Sequence, residues 1–418
     1  MATLTPIRFM HFSDVHFGVE NYGKLDPATG LSTRLIDFRK SLLFCIKTAL
    51  NSGIELAIFT GDAYKSRDPS QTHQREFAAC LSVLTSAGIP IVLLTGNHDI
   101  SNARGRANSI EIFGALASEK ITVVDRPAVI KIETSLGRSV QIAALPYLTK
   151  SNILASDELS GQGVADTTEN IVKRYEEAVD NLATRCSKAP DLPTIFMGHF
   201  SVSSAKVGAL QRSYLTNEPE VSKSALARPE FDYVALGHIH KFQDLSDRYQ
   251  PPIVYSGSID RIDFGERSEG KGFVLVDFSR HNATYKFIES PVRQFLDIDV
   301  DTSRGGDPTD RVVEALAKEE LEEAVVKLVY HVRPEDEPML DERRIRAALS
   351  RAFICVAVRK EIVSPEKTHV GIDPSEALTP LQAFEMYLDR HPELEKKRED
   401  LTSRATILIQ ELISEEST

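Results

Sequence analysis

The stretch Tyr233–Gln243, YVALGHIHKFQ, holds an apolar run, a glycine and then two histidines one residue apart. Tyr233–Leu236 has the length and composition of a buried strand. Gly237 lets the chain turn sharply where that strand stops. In extended chain His238 and His240 point to one side, because side chains alternate every residue. Two parallel imidazoles at a strand end are a candidate metal grip, and taken alone the plainer reading is a pair of polar loop residues.

Working outward, the same arrangement recurs. Apolar residues run into small turns at His11–Gly18 (HFSDVHFG), Ile58–Asp62 (IFTGD), Leu93–Asp99 (LLTGNHD) and Phe196–His199 (FMGH). Together these motifs outweigh the structural reading that any one histidine would deserve. Ligands collect at the carboxyl ends of strands in α/β folds, where loops converge over the sheet edge. Strands are also expected at Val140–Ala144 and Ile253–Tyr255, and helices at Arg34–Leu50 and Thr168–Cys186. The adjacent runs Gly272–Asp277 and Ala283–Ile288 suggest a hairpin, so the fold class is α/β with mixed sheets. Ser156–Asp166 reads as a surface loop.

At 418 residues the chain is too long for one core. After Ser290-Pro291 the pattern changes to strand Phe295–Val300, helix Asp310–Glu323, strand Ala324–Val332, helix Asp341–Arg351 and strand Phe353–Val363. This order suggests a small separate domain. Gly371–Pro374 reads as a linker, followed by helices over 379–389 and 393–415. In the second, Leu401, Ala405, Leu408, Ile409, Leu412 and Ile413 form one stripe. Such a stripe usually packs on its own domain; the linker and the short helices favour an outside partner.

The start, MATLTPIRFMHF, does not resemble a signal peptide, and no apolar run approaches the ~20 residues of a membrane span. Cys45, Cys80, Cys186 and Cys355 lie far apart with no C-x-x-C, which fits a reducing cytoplasm and argues against thiolate metal sites. The net charge of −12 weighs against a polyanionic partner, but residues 301–418 carry 26 acidic against 17 basic side chains and so most of the excess. Bound dications would also change the local field.

The donors Asp14, His16, Asp62, Asn97, His199, His238 and His240 offer oxygen and imidazole nitrogen without thiolate. That set suits manganese, iron or zinc. There are enough ligands for two cations, with Asp62, alone after its strand, as the bridge. Two-metal sites clamp both oxygens of an in-line phosphoryl displacement.

In this order SDVHFG, GD, GNHD, GHF and GHIH resemble the calcineurin-like metallophosphoesterase superfamily. FDYVALGHIH (231–240), YSGSIDRIDFGE (255–266) and RDPSQTHQREF (67–77) resemble the SbcD family of bacterial nuclease subunits. The match extends over about residues 7–270; beyond it only the general layout agrees. The resemblance implies a metallophosphoesterase-type β-sandwich flanked by helices, with a small α+β capping domain and C-terminal helices. The nuclease domain would be 1–288, the capping domain 289–370 and a partner-binding segment 371–418. Asp14, His16, Asp62 and His240 would hold one metal, and Asp62, Asn97, His199 and His238 the other. Manganese is the implied ion, and His98 would stand beside the scissile phosphate. The implied activity is hydrolysis of DNA phosphodiesters by hydroxide attack, 3′→5′ exonuclease and single-strand endonuclease. An SbcC-type ABC ATPase with a coiled coil would be the partner, in a homodimeric complex for DNA end processing, without a membrane.

One departure stands out. Where many relatives carry Phe-Asp or Phe-His after the Gly-Asp pair, this chain has Ala63-Tyr64-Lys65-Ser66-Arg67. Lys65 or Arg67 would then meet a phosphate or lie in a solvated loop. Asp99 would either orient an imidazole or cap the following helix. Arg104 and Arg106 are candidate backbone contacts to DNA, Arg261 a structural ion-pair or loop-anchoring residue, and Arg343, Arg344, Arg346 and Arg351 a basic strip offset by Asp341 and Glu342. His11 reads as core or a support of the site, and His73 as a surface or interface residue. His281, His331, His369 and His391 have no partner motif. Competing functions are a phosphatase or cyclic-nucleotide phosphodiesterase on the same core, and a non-catalytic scaffold. The GNHD motif and the added domain fit the first of these poorly, and the complete ligand set fits the second poorly.

Overall fold

Short runs of valine, isoleucine, leucine and phenylalanine make strands buried on both faces, and the amphipathic stretches between them make the helices that cover those strands. The computed structural model describes residues 5–100, 106–116, 119–148, 168–208, 211, 215, 218–246, 251–303, 305–363, 380–389 and 397–415. Apart from the short parallel pair Ser201–Val202 and Glu220–Val221, the strands in chain order are β1 Ile7–Phe12, β2 Leu56–Phe59, β3 Ile91–Leu94, β4 Ile121–Val124, β5 Ala128–Glu133, β6 Ser139–Leu145, β7 Thr194–His199, β8 Tyr233–Gly237, β9 Gln243–Asp244, β10 Ile253–Tyr255, β11 Gly272–Ser279, β12 Asn282–Glu289, β13 Phe295–Asp301, β14 Val325–Val332 and β15 Ile354–Ile362. The helices are α1 Thr33–Asn51, α2 Gln71–Ser86, α3 Glu111–Ala115, α4 Thr168–Cys186, α5 Pro308–Ala317, α6 Glu342–Leu349, α7 Pro380–Asp389 and α8 Arg398–Glu415.

The expected α/β sandwich is present. One sheet has the order β12-β11-β1-β2-β3-β4 and the other β9-β10-β8-β7-β6-β5. β1 to β4 run parallel, and the hairpin β11–β12 joins β1 antiparallel. β6, β7, β8 and β10 are parallel neighbours. Phe9, Ile58, Val92 and Leu94 of the first sheet pack against Ile142, Ile195, Met197 and Ala235 of the second, which fills the space between the sheets. α1 and α2 cover the outer face of the first sheet through Phe38, Leu42, Phe77 and Leu81. α4 covers the second through Tyr175, Val179 and Leu182. Alternate residues of each strand thus serve opposite layers. Consequently β1, β2, β3, β7 and β8 end side by side, and their following turns share one cleft.

β13-β14-β15 form a separate parallel sheet. α5 and α6 pack on one of its faces through Val312, Leu316, Ile345 and Leu349. The helix expected over Asp310–Glu323 is shifted and shorter. Asp307 caps it by accepting from Thr309 N–H (2.8 Å) and Asp310 N–H (3.2 Å), and Pro308 suits its first turn. It stops at Ala317 because Leu321 and Ala324 must turn into the core. Arg293 ties this unit to the main body. Its guanidinium makes two bonds to the Asp37 carboxylate on α1 (3.0 and 2.9 Å), donates to Glu323 C=O (2.9 Å) and lies over the Phe353 ring at 3.7 Å. Phe295 sits against Tyr22 and Phe264, with ring centroids 5.7 and 5.0 Å apart. The expected basic strip is largely paired: Arg344 with Asp310, Arg346 with Glu342 and Arg351 with Glu322.

α7 and α8 pack against each other. Leu408 is exposed. The side chains of Leu412 and Ile413, the loop 156–166, the linker 371–374, Arg104, His369 and His391 lie outside the described residues. No helix among the described residues is long and apolar enough to cross a membrane. The four cysteines are free, and Cys45, Cys80 and Cys186 are buried.

Candidate metal centre

The turns that end the five strands are tight. Asp14, His16, Asp62 and His238 all have positive φ, between 48° and 91°. Left-handed backbone costs such residues on the order of 1–3 kcal/mol each, and this kind of strain collects at functional sites. The extended-chain argument for parallel side chains therefore fails in detail. Asp14 and His16 converge because each sits in a left-handed turn, and His238 and His240 aim at different neighbours. Gly61, with φ +105°, lets β2 turn where an added methyl would meet His199 Nδ1. Gly96 leaves no room for one beside the Asp62 carboxylate.

Three overlapping donor groups result; one, of His16, Asp62 and His98, links the two that divide the anticipated ligands. In the first, Asp14, His16 and His240 bring ligand atoms within 4.8 Å of one another. His16 Nε2 lies 3.7 Å from Asp14 Oδ1, and His240 Nε2 lies 4.0 Å from it. His16 Nε2 and His240 Nε2 face each other at 3.2 Å. Two nitrogens each ~2.1 Å from one ion stand about this far apart. In the second group Asp62, His199 and His238 converge in the same way. Asn97 Oδ1 lies 3.0 Å from His199 Nε2 and 3.1 Å from His238 Nδ1.

Asp62 joins the groups through one oxygen. Its Oδ2 is 3.7 Å from His16 Nε2 and 3.4 Å from His199 Nε2. Its Oδ1 is occupied by the His98 backbone N–H at 2.9 Å. The site thus brings together all seven donors anticipated from the sequence. Burial opposes ionisation of Asp62, yet the His199, His98 and His16 imidazoles outweigh it and hold the carboxyl well below the usual carboxylate range. Asp14 behaves alike: burial opposes, His16, His199 and His240 prevail, and it is lowered to about 2. Burial disfavours charge on His199, but Asp62 raises it to about 9. Two carboxylates and facing imidazoles with so little solvent form a cradle matched in chemistry to divalent cations, which would displace those imidazolium protons on binding.

The outer nitrogens are tied back. His199 Nδ1 donates to Thr60 C=O at 2.6 Å. His240 Nδ1 meets Glu266 Oε1 at 2.8 Å, and His238 Nε2 meets Glu218 Oε2 at 2.7 Å. Such partners orient a ligating histidine. The sequence reading missed Glu218, which no local pattern marks. Glu266 lay within the YSGSIDRIDFGE motif without a role. Tyr147 was also missed; it follows β6 at the same edge, 6.1 Å from the His238 ring, and burial and Glu218 push it up to about 12.

His98 Nδ1 donates to Lys65 C=O at 2.8 Å, which fixes the ring beside His16 (centroids 5.1 Å). Arg67 Nε donates to Asn97 C=O at 3.3 Å. Asp99 serves neither expected purpose. Its carboxylate accepts from the backbone N–H of Asp62 (2.8 Å), Ala63 (3.1 Å) and Gly96 (3.0 Å), and so staples the β2 and β3 turns together. His11 is buried between Tyr233 Oη and Thr60 Oγ1, at 3.1 and 3.2 Å, and belongs to the core behind the site. His73 lies near Glu20 on α2 and His331 between Asp299 and Glu361. Arg106 pairs with Asp68, and Arg261 anchors its loop by donating to Arg293 C=O and Glu269 C=O.

Known proteins are similar to this chain in sequence. The DNA double-strand break repair protein Mre11 of Methanocaldococcus jannaschii is 26% identical over 301 residues, covering 70% of this chain and 69% of that protein. Mre11 of Archaeoglobus fulgidus is 23% identical over 393 residues, covering 88% and 76%. SbcD, the D component of the nuclease SbcCD of Escherichia coli strain K12, is 24% identical over 276 residues, covering 65% of each. Residues 7–242, which carry every donor of the cleft, match the family model described as Calcineurin-like phosphoesterase, and the chain belongs to that family of metal-dependent hydrolases.

Proposed function

We propose that the chain is a DNA nuclease, a 3′→5′ exonuclease and single-strand endonuclease, acting as the nuclease subunit of an SbcC–SbcD-type end-processing complex. The observation that carries this is the pair of donor groups sharing Asp62 Oδ2, set in a chain similar to Mre11 and SbcD. Asp14, His16, Asp62 and His240 would hold one divalent cation, and Asp62, Asn97, His199 and His238 the other. Manganese suits this oxygen and imidazole set. Bound there, the cations supply acidified water and neutralise phosphate charge.

The chain's own groups do the rest. Asp62 keeps the two halves of the cleft in register. Lys65 C=O holds the proton of His98 on Nδ1, so Nε2 is the nitrogen left for proton exchange. As an imidazolium, His98 gives a proton to the leaving sugar oxygen. Lys65 and Arg67, exposed on the loop that fixes His98, offer positive charge to flanking phosphates. Residues 289–370 act as a capping domain beside the nuclease domain 1–288, and 371–418 dock an ABC ATPase with a coiled coil. The complex is a cytoplasmic homodimer, consistent with free cysteines.

The test is cleavage of end-labelled duplex and single-stranded DNA with manganese, magnesium or chelator, with and without the ATPase. Manganese-dependent release of nucleotides from 3′ ends is expected. Hydrolysis of small phosphodiesters without any cleavage of DNA would overturn the reading.

A further inference from the structure

We propose that Glu218 and Glu266 are positioning residues that decide which ring nitrogen each histidine of the Gly237–His240 turn presents to the cleft. The inference rests on the two-cation reading above. His238 and His240 are two residues apart, yet they use opposite nitrogens. His238 turns Nδ1 toward Asn97 Oδ1 (3.1 Å), with Nε2 against Glu218 Oε2 (2.7 Å). His240 turns Nε2 toward His16 Nε2 (3.2 Å), with Nδ1 against Glu266 Oε1 (2.8 Å). A carboxylate only accepts, so each glutamate fixes the proton on the nitrogen it faces and leaves the lone pair on the other. Without those acceptors either ring is free to turn over about its own bond, and the turn no longer divides its two donors between two groups.

Both glutamates are themselves anchored. Glu218 Oε2 also accepts from Ser201 Oγ at 3.2 Å. Glu266 Oε2 accepts from Ile262 N–H and from Lys271 Nζ, each at 2.9 Å. Lys271 is buried and donates as well to His240 C=O at 3.0 Å. One lysine–glutamate pair therefore grips His240 at its carbonyl and at its ring.

The test is calorimetric titration of the metal-free, full-length chain with manganese(II). Two equivalents are expected for the unmodified chain; uptake of none would sink the two-cation reading itself. Glu266→Ala should weaken one equivalent by ~10–100-fold and spare the other, and Glu218→Ala should weaken the complementary one. Glu266→Gln and Glu218→Gln keep an oxygen that accepts the ring N–H and should stay within a few-fold of the unmodified chain. Nitrogen-15 spectra of the zinc-loaded, histidine-labelled chain read the proton directly, on Nε2 of His238 and on Nδ1 of His240, should either alanine variant fail to fold. Loss of both equivalents together in the alanine variants, loss of neither, or the proton on the same kind of nitrogen in both rings overturns the proposal.

Discussion

Replacing His98 by alanine separates proton delivery from metal holding. The backbone N–H that reaches Asp62 Oδ1 at 2.9 Å survives the change. The side-chain bond to Lys65 C=O at 2.8 Å is lost together with the ring contact to His16 and the influence on Asp62, so folding stability should fall by about 1 kcal/mol. Both donor groups remain, and two equivalents of manganese should still bind. The chemical step loses its acid. A positioned acid contributes ~10²–10⁴-fold, equivalent to ~2.7–5.4 kcal/mol at 1.36 kcal/mol per tenfold. The size depends on the leaving group. A sugar alkoxide needs the proton as it departs, whereas a nitrophenolate scarcely does. Turnover should therefore drop at least ~10²-fold on end-labelled DNA and less than ~10-fold on bis(p-nitrophenyl) phosphate. The assay is turnover of both substrates at saturating manganese, with metal content measured on the same preparation. Equal slowing on the two substrates, or loss of a metal equivalent, would refute the reasoning.

Asp62→Ala should abolish metal binding and activity together, and retention of both cations would remove Asp62 as the shared ligand. Gly61→Ala places a methyl at φ +105° against His199, and urea melts should show at least ~2 kcal/mol of destabilisation with weaker manganese uptake; an unchanged midpoint would mean the turn relaxes freely. Burial lowers His11 to about 3, so the folded state keeps it neutral while the unfolded chain protonates it near 6.5. Its contribution is complete above ~6.5 and declines by up to ~1.4 kcal/mol per pH unit as pH falls toward ~3. His11→Gln should flatten the acid limb of stability by about one proton; identical limbs would show that His11 is charged in the fold.

The five strand-end motifs were legible because each pairs a β-rich run with a glycine and a ligand-type residue, a local pattern. The alternation of layers placed those ends on one edge. What the sequence hid is non-local. Glu218 reaches His238 from a segment with no periodicity. The sequence reading passed over Ile121–Val124 and Ala128–Glu133, which carry strand-forming residues but lie partly exposed at the sheet edges. Left-handed backbone at Asp14, His16 and His238 cannot be read from residue type, since these residues seldom adopt it without tertiary constraint. Asp99 misled for the same reason: its acceptors are bound to donors thirty-six and thirty-seven residues away as well as close by.

Arg293 has a practical bearing on how this chain is dissected. It lies past the last strand of the main sandwich, and yet it neutralises Asp37, which is 8% exposed on α1. A fragment ending at residue 288 would keep the carboxylate with Arg34, 3.4 Å away on the same helix, and discard the two shorter bonds from Arg293. The same cut strips Phe295 from Tyr22 and Phe264, baring an aromatic patch. An excised fragment that precipitates would thus report a severed seam, and its inactivity would say nothing about the cleft.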